Sequence, residues 1–127
     1  MTGNGRIVLS KFEANATHCK WATQRVINVP KTADFRDYSD IDIHDRAGFG
    51  PVKRIAITSQ EDSALWIGQM NIETFEFVGE GEVLHFPRTT GDCTEHYCNI
   101  EGVKLIDECA PCAFRLRVMC CGKMHCS

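Results

Sequence analysis

The chain has no run of about 18 apolar residues, and without one no helix of it spans a bilayer. It also lacks low-complexity tracts and blocks of like charge. With 43% hydrophobic and 24% charged residues it has an ordinary globular composition, which excludes disorder over most of its length. A concentrated basic face is missing too. Residues 32–101 carry fourteen Asp and Glu against five Lys and Arg, a net −9, so the middle of the chain repels phosphate and nucleic acid is excluded as a partner. The histidines at 18, 44, 85, 96 and 125 sit in no G-x-S-x-G or H-E-x-x-H motif, and no enzymatic activity is expected.

Cysteine is plentiful and unevenly placed. The chain has eight, and seven of them fall within residues 93–127: Cys93, Cys98, Cys109, Cys112, Cys120, Cys121 and Cys126, with Cys19 far ahead of them. An even total in a short chain reads as a disulfide framework. Seven clustered cysteines cannot all satisfy one another, so full pairing sends Cys19 to one of them and closes a loop of at least 74 residues. In the chain-entropy model such a loop removes roughly 4–5 kcal/mol of freedom from the unfolded state. Cys120 and Cys121 are neighbours that point to opposite faces of a strand and serve different partners. The competing reading is zinc in a reducing compartment, held by Cys109 and Cys112 with two more ligands from Cys120, Cys121, His125 and Cys126.

The disulfide reading implies a secreted, extracellular protein. Residues 1–10 lack the apolar core of a leader, so secretion assumes that a leader has been removed and that Met1 was added. Asn15-Ala16-Thr17 is an acceptor sequence for N-glycosylation and fits the same compartment.

Apolar periodicity points to strands throughout. Residues 6–12 alternate with Ile7 and Leu9 on one face, residues 21–29 end in a β-branched run before Pro30, and residues 38–44 alternate strictly. Residues 52–59 place Ile55 and Ile57 together. Residues 64–78 read as one long strand whose apolar phase slips between Ile72 and Phe75, predicting a bulge or bend near Thr74. Gly79-Glu80-Gly81-Glu82 is expected to be a turn, with strands at 83–86, 102–107 and 113–120 beyond it. The fold predicted is a single all-β domain, a two-sheet antiparallel β-sandwich of about eight strands with a disulfide-rich C-terminal segment. Strand parity sends Trp21, Trp66, Phe75, Phe77, Phe86 and Phe114 to the core.

Three stretches within residues 52–87 carry a family resemblance: Val52-Lys53-Arg54-Ile55-Ala56-Ile57, then Ala64-Leu65-Trp66-Ile67-Gly68-Gln69-Met70-Asn71-Ile72, then Glu82-Val83-Leu84-His85-Phe86-Pro87. Together they resemble the latter half of a PLAT (LH2-like) domain. The resemblance implies an eight-stranded sandwich that binds lipid surfaces or protein partners and has no catalysis of its own. Where that family carries a His-Asp pair this chain has Thr58, Ser59 and Gln60, and the cysteine-rich tail has no counterpart there.

Two further features bear on function. Asp40, Asp42 and His44 project from one face of a strand, and their oxygens and imidazole are candidates for a cation such as calcium; the alternative is a solvated outer face. Phe49 sits in the Gly-rich loop Ala47-Gly48-Phe49-Gly50-Pro51, where it anchors a partner or plugs one end of the sandwich. The function expected is a non-catalytic extracellular binding module, contacting a protein, glycan or lipid surface through loops at one end. The rivals are an intracellular zinc-stabilised interaction domain and a secreted toxin or hydrolase.

Overall fold

The computed structural model describes residues 5–44, 50–86, 100–107 and 114–120, with Asp107 and residues 114–120 described by their backbone alone. These residues form eight strands: β1 (Arg6–Ala14), β2 (Cys19–Asn28), β3 (Asp40–His44), β4 (Val52–Ser59), β5 (Ala64–Asn71), β6 (Glu76–His85), β7 (Ile100–Asp107) and β8 (Phe114–Cys120). A single 3-10 turn, Lys31–Ala33, follows β2. No described helix is long and apolar enough to cross a membrane.

The protein is therefore all-β, as its alternation predicts. The eight strands divide over three antiparallel sheets where two were expected: the hairpin β1–β2, a central sheet in the order β3-β4-β5-β6, and the hairpin β7–β8. Burial on both faces of the central sheet explains the division. Along β4 the consecutive residues Ile55, Ala56 and Ile57 are all fully buried, which requires cover above and below. On one face Ile55, Ile57, Trp66 and Met70 pack with Ile7 and Ala33, joined by Ile27, Val29, Phe35 and Tyr38. On the other, Ala56 and Leu65 pack with Val103 and Leu105 of β7.

The sequence predicts a bulge near Thr74 and a turn at 79–82; the structure exchanges them. β5 stops at Asn71 because the Asn71 carboxamide oxygen accepts the backbone N–H groups of Glu73 and Thr74, at 2.9 and 3.1 Å, while Phe75 N–H closes onto the Asn71 carbonyl. That local capping turns the chain without a glycine, and Phe75 takes a positive φ of 58°. Gly79 and Gly81 lie inside β6, where pairing jumps from Gln69↔Val78 to Ile67↔Glu82. Their φ values of 72° and 73° build a bulge that brings the strand close against the Trp66 ring.

Trp66 is fully buried, and Phe77 meets its ring edge-on at 5.6 Å. Its Nε1–H is shared between Thr32 Oγ1 at 3.0 Å and the Glu80 carbonyl at 3.1 Å, so the bulge also supplies the polar partner that a buried indole needs.

Candidate functional site

β1 and β2 form an arm whose two faces differ. Near its base Ile7 lies opposite Ile27, and both enter the core. Between Leu9 and Ser10 the register shifts, with Gln24 as the extra residue on β2. That bulge realigns the strands so that Val8 faces Val26 and Phe12 faces Trp21 on the side turned away from the core. All four are exposed: Val8 by 37%, Phe12 by 51%, Val26 by 52% and Trp21 by 70%. The Phe12 and Trp21 rings tilt against each other with centroids 5.2 Å apart. Sequence parity placed Trp21 in the core; the structure corrects this, because the bulge at Gln24 reverses the face of everything before it on β2.

The arm's inner face is tied to the β5–β6 turn by Arg25. Its guanidinium donates to the Thr74 carbonyl at 2.9 Å and lies 5.8 Å from the centroid of the Phe75 ring. At the arm's tip the Asn15 carboxamide oxygen accepts the N–H groups of Thr17 and His18 and the Thr17 hydroxyl, each at 2.9 Å. Asn15 is thereby presented on an exposed turn. Beside it Cys19 is exposed and has no disulfide partner among the described residues.

The acidic face of β3 is where alternation placed it, but it meets β7. All four carboxylate oxygens of Asp40 and Asp42 have donors. Asp40 accepts the N–H groups of Ile41 at 2.8 Å and Val103 at 2.9 Å, and Asp42 accepts Leu105 N–H at 2.8 Å and the Lys104 ammonium at 2.9 Å. Burial pushes the Asp42 carboxyl up, but the Leu105 N–H and Lys104 outweigh it and hold the group below the ordinary carboxylate range. These oxygens replace a neighbouring strand as acceptors for β7. Among the described residues no group of three or more His, Cys, Asp or Glu side chains is placed to hold a metal ion.

A second polar cluster ties the loop after the 3-10 turn to the β4–β5 turn. Ser59 Oγ donates to Asp37 and receives Asp62 N–H at 3.0 Å; Glu61 N–H reaches Asp37 at 2.9 Å. Arg36 donates to Asp62 from its backbone N–H and its Nε, both at 2.7 Å. Burial again pushes the Asp62 carboxyl up, and the Arg36 donors overcome it to leave the group lowered. A hydroxyl between two carboxylates has the elements of a nucleophile and base, but Ser59 is fully buried and its hydroxyl is taken up by Asp37 and the Asp62 N–H. The cluster fastens two loops.

Phe49, Cys93, Cys98, Cys109, Cys112, Cys121 and Cys126 lie outside the described residues, and Cys120 is described only as the last residue of β8. The fold and its surfaces define an all-β protein with an exposed aromatic arm. No protein-family model, no curated protein and no solved structure matches the chain.

Proposed function

We propose that the protein is a non-catalytic extracellular binding module, and that its contact surface is the outer face of the β1–β2 arm. One observation carries this reading: Val8, Phe12, Trp21 and Val26 line a single face that no described residue covers. A two-stranded ribbon is marginal by itself in water, and four large apolar groups along one side of it favour a partner. Aromatic residues that keep two side-chain torsions and a large apolar area suit such a contact. This reading puts the contact on the arm, where the sequence pointed to loops at one end of a sandwich.

Secretion, the sandwich-type packing of hairpins on a central sheet, and the disulfide framework belong to the same proposal. The exposed thiol of Cys19 is accessible to a cysteine of the tail, and Asn15 at the arm's tip is accessible to a glycosyltransferase. Thiol titration of the denatured, unreduced secreted protein is expected to find none of the eight cysteines reactive. Eight reactive thiols would exclude the framework.

The arm is tested with the F12A/W21A double variant against three immobilised surfaces: anionic vesicles, a glycan panel and the chain itself. The wild type is expected to bind at least one, and the variant, folded by circular dichroism, to lose that binding by tenfold or more, the order expected when paired aromatic anchors are truncated. A wild type that binds none, or a variant that binds as well, sinks the reading.

A further inference from the structure

We propose that the ligand of the arm is a neutral oligosaccharide, stacked on Trp21 with Phe12 beside it and hydrogen-bonded to Ser10 and Thr23. This rests on the arm being the contact surface. Successive cross-strand pairs of a ribbon point to opposite sides. Val8↔Val26, Ser10↔Thr23 and Phe12↔Trp21 share the outer side, and Leu9↔Arg25, Lys11↔Ala22 and Glu13↔Lys20 share the inner one. The arm's charge is thus sorted away from the contact. Among the described residues of the outer face only Arg6 is charged, at the base opposite Asn28, and it already has an interaction of its own.

That layout selects the occupant. Anionic headgroups, sulfated glycans and acidic peptides meet no cation on this face beyond Arg6. An acyl chain or a purely apolar partner would cover Ser10 and Thr23, which are exposed between the two apolar rows, and strip water from their hydroxyls without replacing it. A protein interface of ordinary size draws on roughly 20–30 residues a side. The outer face offers only the five pairs from Arg6↔Asn28 to Ala14↔Cys19.

A neutral sugar supplies both complements. The C–H bonds on the flat side of a pyranose ring carry partial positive charge and meet the negative face of an aromatic ring. Its hydroxyls donate to and accept from a serine and a threonine. The Phe12 and Trp21 planes are inclined at 55°, so one sugar ring lies flat on only one of them, and the 70% exposure of Trp21 makes it the platform. From Val8 to Phe12 the face runs about 14 Å, which a short chain of sugar rings fills.

Binding of the full chain to immobilised glycans tests the proposal, with neutral β-linked glucose and galactose oligosaccharides set beside sulfated and sialylated ones, anionic vesicles and the chain itself. The wild type is expected to bind a neutral oligosaccharide, with an affinity unchanged between about 0.1 and 1 M salt. Trp21→Ala, folded by circular dichroism, is expected to weaken this tenfold or more and Trp21→Phe by less, because the ring is kept. Ser10→Ala/Thr23→Ala is expected to weaken it by about fivefold, and Lys11→Glu/Lys20→Glu, on the inner side, to leave it unchanged. Bound sugar is also expected to shield Trp21 from acrylamide quenching, with the buried Trp66, the other tryptophan of the chain, as internal reference.

A wild type that binds only charged glycans, vesicles or itself overturns the proposal; where F12A/W21A removes that binding, the arm survives as the contact surface. Neutral-sugar binding that salt abolishes, or that Trp21→Ala or Ser10→Ala/Thr23→Ala leaves unchanged, overturns it as well. No binding to any of these surfaces sinks both readings.

Discussion

Gly81→Ala is expected to destabilise the domain by about 3–5 kcal/mol, and Gly79→Ala by only about 1–2 kcal/mol. The two glycines share β6 and nearly the same backbone, with φ of 73° and 72°. The cost of placing a side chain in the left-handed region is therefore common to both. Space separates them. A Cβ at Gly79 meets nothing within 4 Å, whereas one at Gly81 falls 2.3 Å from Cζ2, 2.4 Å from Cε2 and 2.6 Å from Nε1 of Trp66.

The indole has nowhere to go. The ring also lies against Gly68, whose Cβ would fall 2.2 Å from Cη2, and its Nε1–H is held by Thr32 and by Glu80, the neighbour of Gly81. Displacing the ring breaks those bonds as well as its packing with Phe77 and Met70. Against a total stability of order 5–15 kcal/mol the loss is large. Urea midpoints measured for both variants and the wild type check it, and equal midpoints for the two would sink the account. Trp66→Phe, which removes the indole atoms that collide, is expected to cost less in the Gly81→Ala background than in the wild type.

Residues 64–82 show where the sequence stops being legible. Strands such as β3 and β4 were readable because their alternation or apolar run is uninterrupted and their ends carry turn residues. The β5–β6 connection was misread because its turn contains no glycine or proline; the signal was Asn71, whose side chain caps the two residues that follow it. The glycines of β6, read as a turn, answer to a ring on the neighbouring strand that local pattern does not contain. The arm has the same character. Trp21 and Val26 have opposite parity in the sequence, and only the extra residue Gln24 puts them on one face. Alternation found the Asp40 and Asp42 face, but its partner lies about 63 positions further along the chain.

That partner makes the second large effect. Removing both carboxylates with Asp40→Ala/Asp42→Ala leaves the N–H groups of Val103 and Leu105 without the acceptors they have at 2.9 and 2.8 Å. Each unsatisfied donor costs about 1–3 kcal/mol when it stays buried, so a loss of about 2–5 kcal/mol is expected for the pair. Val103 and Leu105 are also the side chains that close the second face of the central sheet over Ala56 and Leu65. Loosening β7 thus exposes apolar surface in addition to stranding amides. The Lys104 pair adds little, because its ammonium is mostly exposed and screened.

The milder Asp42→Asn change keeps an oxygen for Leu105 but removes the ionisation. In the wild type the Asp42 carboxyl titrates below its unfolded value, so the folded protein binds this proton less readily than the unfolded chain. Its stabilisation is fully present above the unfolded pKa and is lost as pH falls through the lowered folded value. Asp62 contributes with the same sign. Asp42→Asn is therefore expected to flatten part of the acid loss of stability while leaving the slope near neutrality unchanged, a difference read from urea midpoints across the acid range. In the double alanine variant the amides of Val103 and Leu105 are expected to exchange hydrogen faster than those of β4. Undiminished protection there would show that β7 is held by its apolar contacts alone and that the two carboxylates do not anchor it.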